Sequence, residues 1–297
     1  TTNGTGNVIV TPGAAQAITA ANGAGINAQQ TGATTGGVTV TTLGGTITAN
    51  NSAGVNATKA GAGAGDVTVA NAAGIGTTNG AGINATSQST TGNVTVDGAA
   101  VILTTGTGNG VVASLGAAGA TGVVNVGQTT PLGIINAADS GIFASNNGTA
   151  GTAAINVTTT KAITANNGTG IAASANGGKI TILSNGPTIA ATGGDGINAA
   201  ETASNTGGIS VVNSAAISGV TPNTAVTGIR AFSAGGAGDV TVKNTGAIGS
   251  AGDRMQQSGI IASITGATNA GAAKIDQAAG DVFAVGDALT ASNAGLG

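Results

Sequence analysis

The chain has 297 residues, of which 56 are Gly, 40 % are apolar, 6 % charged and 1 % aromatic, with a net charge of −3 and neither Cys nor His. A charged fraction so far below the roughly 25 % of ordinary soluble domains, with almost no aromatics, excludes a globular core filled by large side chains. Disulfide staples and Cys-ligated metals are excluded too, and a positive mean hydropathy with low net charge argues against disorder.

Read from the N-terminus, the first segment with strand character is "GNVIV" at 6–10, an apolar/polar/apolar alternation. It returns as "GGVTV" at 36–40, "GDVTV" at 65–69, "GNVTV" at 92–96, "GVVNV" at 122–126 and "AAINV" at 153–157. Further copies are "GKITI" at 178–182, "GGISV" at 207–211 and "GDVTV" at 238–242. A second phrase follows each first one: "ITA" at 18–20, 47–49 and 163–165, loosened to "INA" at 135–137 and "ISG" at 217–219. The third is Gly-(Ile/Val)-x-Ala, starting at Gly25, Gly54, Gly82, Gly110, Gly141, Gly170, Gly196, Gly228 and Gly259. Its spacings are 29, 28, 28, 31, 29, 26, 32 and 31 residues. Turn residues separate the phrases, and the four prolines (Pro12, Pro131, Pro187, Pro222) all fall between them, where no ladder N–H is lost.

Three short strands in a repeat of about 29 residues describe one rung of a β-solenoid. The expected fold is all-β, a single continuous parallel β-helix over 1–297 with nine to ten rungs. It is expected to be right-handed, as parallel crossovers are, and about 45 Å long at ~4.8 Å per rung. Period two points Val of "VTV" and Ile and Ala of "INA" inward, and Thr or Asn outward. Gly before each third strand fits a corner with positive φ or close backbone approach. Residues 271–297 read as an irregular last rung: "GAAKI" and "GDVFAV" both resemble the first phrase, while "ALTASNAGL" at 288–296 echoes "AITAANGAGI" at 17–26. That stretch is expected to be a truncation point or a stacking end.

Rungs such as "GDVTVKNTGAI" at 238–248 and "GNVTV" with "NGAGINA" resemble the passenger β-helices of bacterial autotransporters and filamentous-haemagglutinin-like exoproteins. The resemblance implies a secreted or surface-displayed protein of a Gram-negative bacterium, an adhesin rod or stalk, whose partner is a host or environmental surface or a polysaccharide. A self-assembling extracellular filament subunit, joined end to end, is the alternative.

Enzymatic β-helices need clustered carboxylates. The acids here are dispersed, only Asp253, Asp276, Asp281 and Asp287 lie near one another in sequence, and no His or Tyr assists them. The chain is therefore read as a non-enzyme, with no cofactor and no metal. No basic stripe suits nucleic acid, and no run approaches the ~20 apolar residues of a membrane span. Thr-rich solenoids can bind ice. The first-strand outward column (Ile9, Thr39, Thr68, Thr95, Asn125, Asn156, Thr181, Ser210, Thr241) lacks a second Thr rank beside it, which weighs against that activity.

Two groups of residues stand out as candidates. Asn27, Asn56 and Asn84 fall in one outward column and form an expected structural ladder. In later rungs that column turns apolar with Val112 and Phe143, a candidate contact stripe. The second is a pair of long connections, 220–227 and 251–258, expected to adjoin in one protrusion that presents Asp253, Arg254 and Met255 to a partner.

Overall fold

The computed structural model describes residues 1, 4–149, 153–203, 207–267 and 269–295. Ten successive turns stack into a parallel β-solenoid. First strands build one ten-stranded sheet, from Val8–Val10 in turn 1 to Ala273–Gln277 in turn 10. Second strands build an eight-stranded sheet, from Ala17–Ala20 to Ala216–Gly219. Third strands build a ten-stranded sheet, from Ile26–Gln30 to Leu289–Asn293.

Outside one shift in the second sheet between Thr104 and Thr107, the register follows the repeat residue for residue. Val38 pairs with Val67, Ile47 with Ile75, and Ala57 with Ala85. Alternation then places whole columns in the bore. Val and Ile of the first sheet, a single file of Ile in the second, and Ile with Ala in the third form one continuous core. Backbone N–H groups are satisfied by the turn above or below, so the ladder needs no large side chain to close it.

The recurrent Gly of the third phrase is explained by contact. None of Gly25, Gly54, Gly82 or Gly110 has a positive φ. A Cβ on Gly110 would lie inside the van der Waals radius of Ile135 Cγ2, and Gly25, Gly54 and Gly82 meet Ile47, Ile75 and Ile102 in the same way. Of the two reasons for glycine considered from sequence, close approach is the one that operates.

The tenth turn refines the reading of 271–297. Ala273–Gln277 pairs with Val240–Asn244 and takes the first position. "GDVFAV" fills the second, where Val282 bridges Ile248 and Ala284 bridges Met255 without forming a full strand. Leu289–Asn293 pairs with Ile260–Ile264, so 288–293 is a third phrase in which Ala288 replaces the usual Gly, rather than a copy of 17–26. Residues 296 and 297 lie outside the described residues.

Candidate functional site

With the bore filled, the chemistry available to a partner is what the three faces display. The first sheet carries the polar column read from sequence, paired turn by turn from Thr39 through Thr68, Thr95, Asn125, Asn156, Thr181 and Ser210 to Thr241. Asn156 Nδ2 donates to Asn125 Oδ1 at 3.0 Å. This sheet also bears Asp66, Asp97, Lys179, Asp239, Lys243, Lys274 and Asp276 on or just before its strands. The third sheet presents one charged residue outward, Arg230, and the strands of the second contain none.

The amide column of the third sheet is a hydrogen-bonded ladder. Asn56 Nδ2 donates to Asn27 Oδ1 at 2.8 Å, and Asn84 Nδ2 to Asn56 Oδ1 at 2.7 Å. Asn56 thus donates to the turn below and accepts from the turn above. Val112 and Phe143 continue the column in adjacent strands; Phe143 is 38 % exposed and Val112 half-buried.

The two long connections do adjoin. Gln256 N–H donates to Ala225 O and Gln257 N–H to Val226 O, which continues the parallel pairing through both. Asp253 is the clamp: Oδ2 accepts from Gly219 N–H at 2.9 Å and Oδ1 from Asn223 N–H at 2.7 Å. Arg254 N–H in turn donates to Asn223 Oδ1 at 2.8 Å.

The expectation for Met255 is corrected. Its side chain is fully buried, and its backbone forms a parallel bridge to Ala284 of turn 10. The insertion keeps the inward/outward alternation, so part of it widens the bore instead of projecting. Arg254 stays exposed, and the carboxylate of Asp253 is engaged within the fold.

Sequence reasoning missed one set of polar residues and, in a second, read the outward column but not its bonds. At the fifth position of the strands, two residues beyond the quoted phrases, period two turns the side chain inward again. There Lys59, fully buried, donates to Gln30 Oε1 at 3.2 Å and Thr34 O at 2.8 Å. Burial lowers its pKa from 10.5. Glu201 occupies the same column, and Ser233 Oγ donates to its Oε2 at 2.8 Å. In the first sheet the equivalent column holds Asn213 and Asn244, joined at 2.7 Å, each also donating to a carbonyl of the following corner. The second set lies just ahead of the first strands. Asp66, Asn93 and Asp239 side chains each accept a backbone N–H of the next turn at 2.8 Å. The signal for the first set was one further period of the alternation, whereas the second set stands inside the quoted first phrases, at the position before the first inward Val.

Asp195 is the other buried carboxylate. It is 6 % exposed, and desolvation pushes its pKa up against the pull of Thr227, Arg230 and Asn198. It accepts from Asn198 Nδ2 at 2.8 Å. Among the described residues no group of three Asp, Glu, His or Cys is placed to hold a metal, and no helix is long and apolar enough to cross a membrane. What the arrangement offers is hydroxyl, amide and aliphatic groups repeated at the strand spacing. Comparison with protein-family models, curated proteins and solved structures found no match.

Proposed function

We propose that this chain is a structural rod or stalk of adhesin type, secreted or displayed at the surface of a Gram-negative bacterium. The observation that carries this reading is the continuous pairing of the first and third sheets through ten turns, with polar columns along the outside. Such a body is stiff along its axis because every interior turn is bonded to two others, and it repeats weak polar contacts at a fixed spacing. Contacts of that kind gain strength by number, which suits a polysaccharide or host surface better than a small ligand. The reading requires no catalysis and no cofactor. The resemblance of its rungs to autotransporter passengers supports the extracellular setting.

The test is adhesion by beads coated with the chain to polysaccharide films and to host-cell surfaces, with electron microscopy of the free chain alongside. The expected result is single rods of about 43 Å and binding that falls when Arg254→Ala or the triple change N27A/N56A/N84A is introduced. Rods that bind no surface tested would overturn the adhesive role. Long fibres of stacked rods would replace it with the filament subunit.

A further inference from the structure

The second sheet holds a feature that its own fold does not require. Its outward positions carry Thr46 and Thr48 in turn 2, Gly74 and Gly76 in turn 3, Val101 and Leu103 in turn 4, and Ile134 and Asn136 in turn 5. Turn 3 is otherwise an ordinary member of the ladder, with Ile75 inward between Ile47 and Ile102. Neither glycine has a positive φ. A Cβ on Gly76 would meet nothing within 4 Å, and one on Gly74 only Gly45 O at 3.9 Å. The crowding that compels glycine at Gly110 is absent from both. An interior strand glycine forfeits side-chain packing and costs entropy, and a recurrent reason to keep one is close approach of another backbone or a ligand.

Directly above this bare turn stands an apolar ridge. Val101 is 50 % exposed, Leu103 42 % and Ile134 47 %. Because Ile102 pairs with Ile75 and Leu103 with Gly76, the ridge and the trough are aligned and one strand spacing apart, ~4.8 Å. We infer that the second sheet is a lateral interface through which two copies of this chain pair face to face and antiparallel. The two-fold axis runs along the strands, midway between turns 3 and 4. That operation keeps the strand direction and exchanges the two turns, so Val101 meets Gly74 of the second copy and Leu103 meets its Gly76. Each contact is made twice, as an isologous interface requires.

Charge is compatible with the pairing, since no strand of this sheet contains a charged residue. The first sheet, with its seven acids and lysines, would bring like charges together in many registers. Six turns overlap, an area on the order of 400 Å² per copy from the strand dimensions. That belongs to the transient class of interfaces, so pairing strengthens where rods are held side by side at high effective concentration.

Sedimentation equilibrium from micromolar to millimolar chain is the test, and a monomer–dimer equilibrium is expected. The variant G74T/G76T copies the Thr pair of turn 2 into the trough, so the fold accommodates it, as an unchanged or raised melting temperature will verify. It should lower the association constant at least tenfold, as should V101S/L103S, which removes the ridge. A spin label on Ser218→Cys, in turn 8 and outside the overlap, should give a distance near ~43 Å, nine strand spacings, in the antiparallel pair. A parent that stays monomeric at millimolar concentration, filled-trough variants that pair like the parent, or a label distance near ~10 Å, the sheet-to-sheet spacing of parallel rods, overturns the proposal. So does loss of soluble-polysaccharide binding in G74T/G76T when the parent is monomeric, which would make the trough a ligand seat.

Discussion

Glu201 ends a strand in which Asn198 and Ala200 face outward and Ile197 and Ala199 inward, and its own position faces inward. Burial pushes its carboxyl above the ordinary 4.5, against the pull of the Ser233 hydroxyl and of the Gly208 and Gly207 backbone. A raised carboxyl pKa means that the folded state holds its proton more tightly than the unfolded chain. The stability this provides is complete below the unfolded value and is lost as pH rises through the folded one. The expected outcome is a melting temperature that declines from pH 4 towards neutrality, and a Glu201→Gln variant with a shallower decline that is more stable than the parent at neutral pH. Thermal unfolding by circular dichroism across that range checks it. Asp195 has the same sign and leaves a residual slope in the variant. Lys59 is opposite: burial lowers it from 10.5, so its share of the stability grows as pH rises towards that value.

At the scale of one element, the corner before each third strand joins two columns that the sequence shows only as separate phrases. The glycine column packs on the isoleucine column of the second strands, and each glycine leans on the isoleucine of the following turn. Adding one methyl group at Gly110 drives it into Ile135, which is fully buried and has no free space to enter. Gly110→Ala is expected to cost about 1–3 kcal/mol, the range for overpacking a tight core. Gly76→Ala, at an open site, is expected to change stability by less than about 0.5 kcal/mol. Urea unfolding of the two variants separates them. If both behaved alike, composition rather than contact would explain the glycine repeat.

Across the whole molecule the contacts run from each turn to its neighbours, so the rod is close to one-dimensional. A full period is then removable. Deleting residues 54–81 joins Ala53 to Gly82 with every inward and outward position preserved. The expected product folds, melts a few degrees lower, and is shorter by about one strand spacing, ~4.8 Å. Small-angle scattering and circular dichroism check this. Deleting 54–66 alone removes the third strand of turn 2 and leaves the later turns intact, so it should cost more stability than removing the whole period, because the third sheet is interrupted between Ile26–Gln30 and Ile83–Ser87.

The sequence by itself determined the architecture: three strands per turn, the period, the turn-by-turn pairing, and which face of "VTV" or "GINA" is inward. These are legible because each depends on alternation and spacing, which are properties of the chain in one dimension. The Asn27, Asn56 and Asn84 ladder was legible for the same reason. Tertiary structure decided what depends on the neighbouring turn. Met255 lies in the bore because the insertion pairs with turns 8 and 10, a fact its own sequence does not carry. Gly110 is compelled by Ile135, whereas Gly74 and Gly76 are compelled by nothing within the chain. Identical letters in the sequence thus have opposite physical reasons, since the space around a Cβ is set by residues one full turn away.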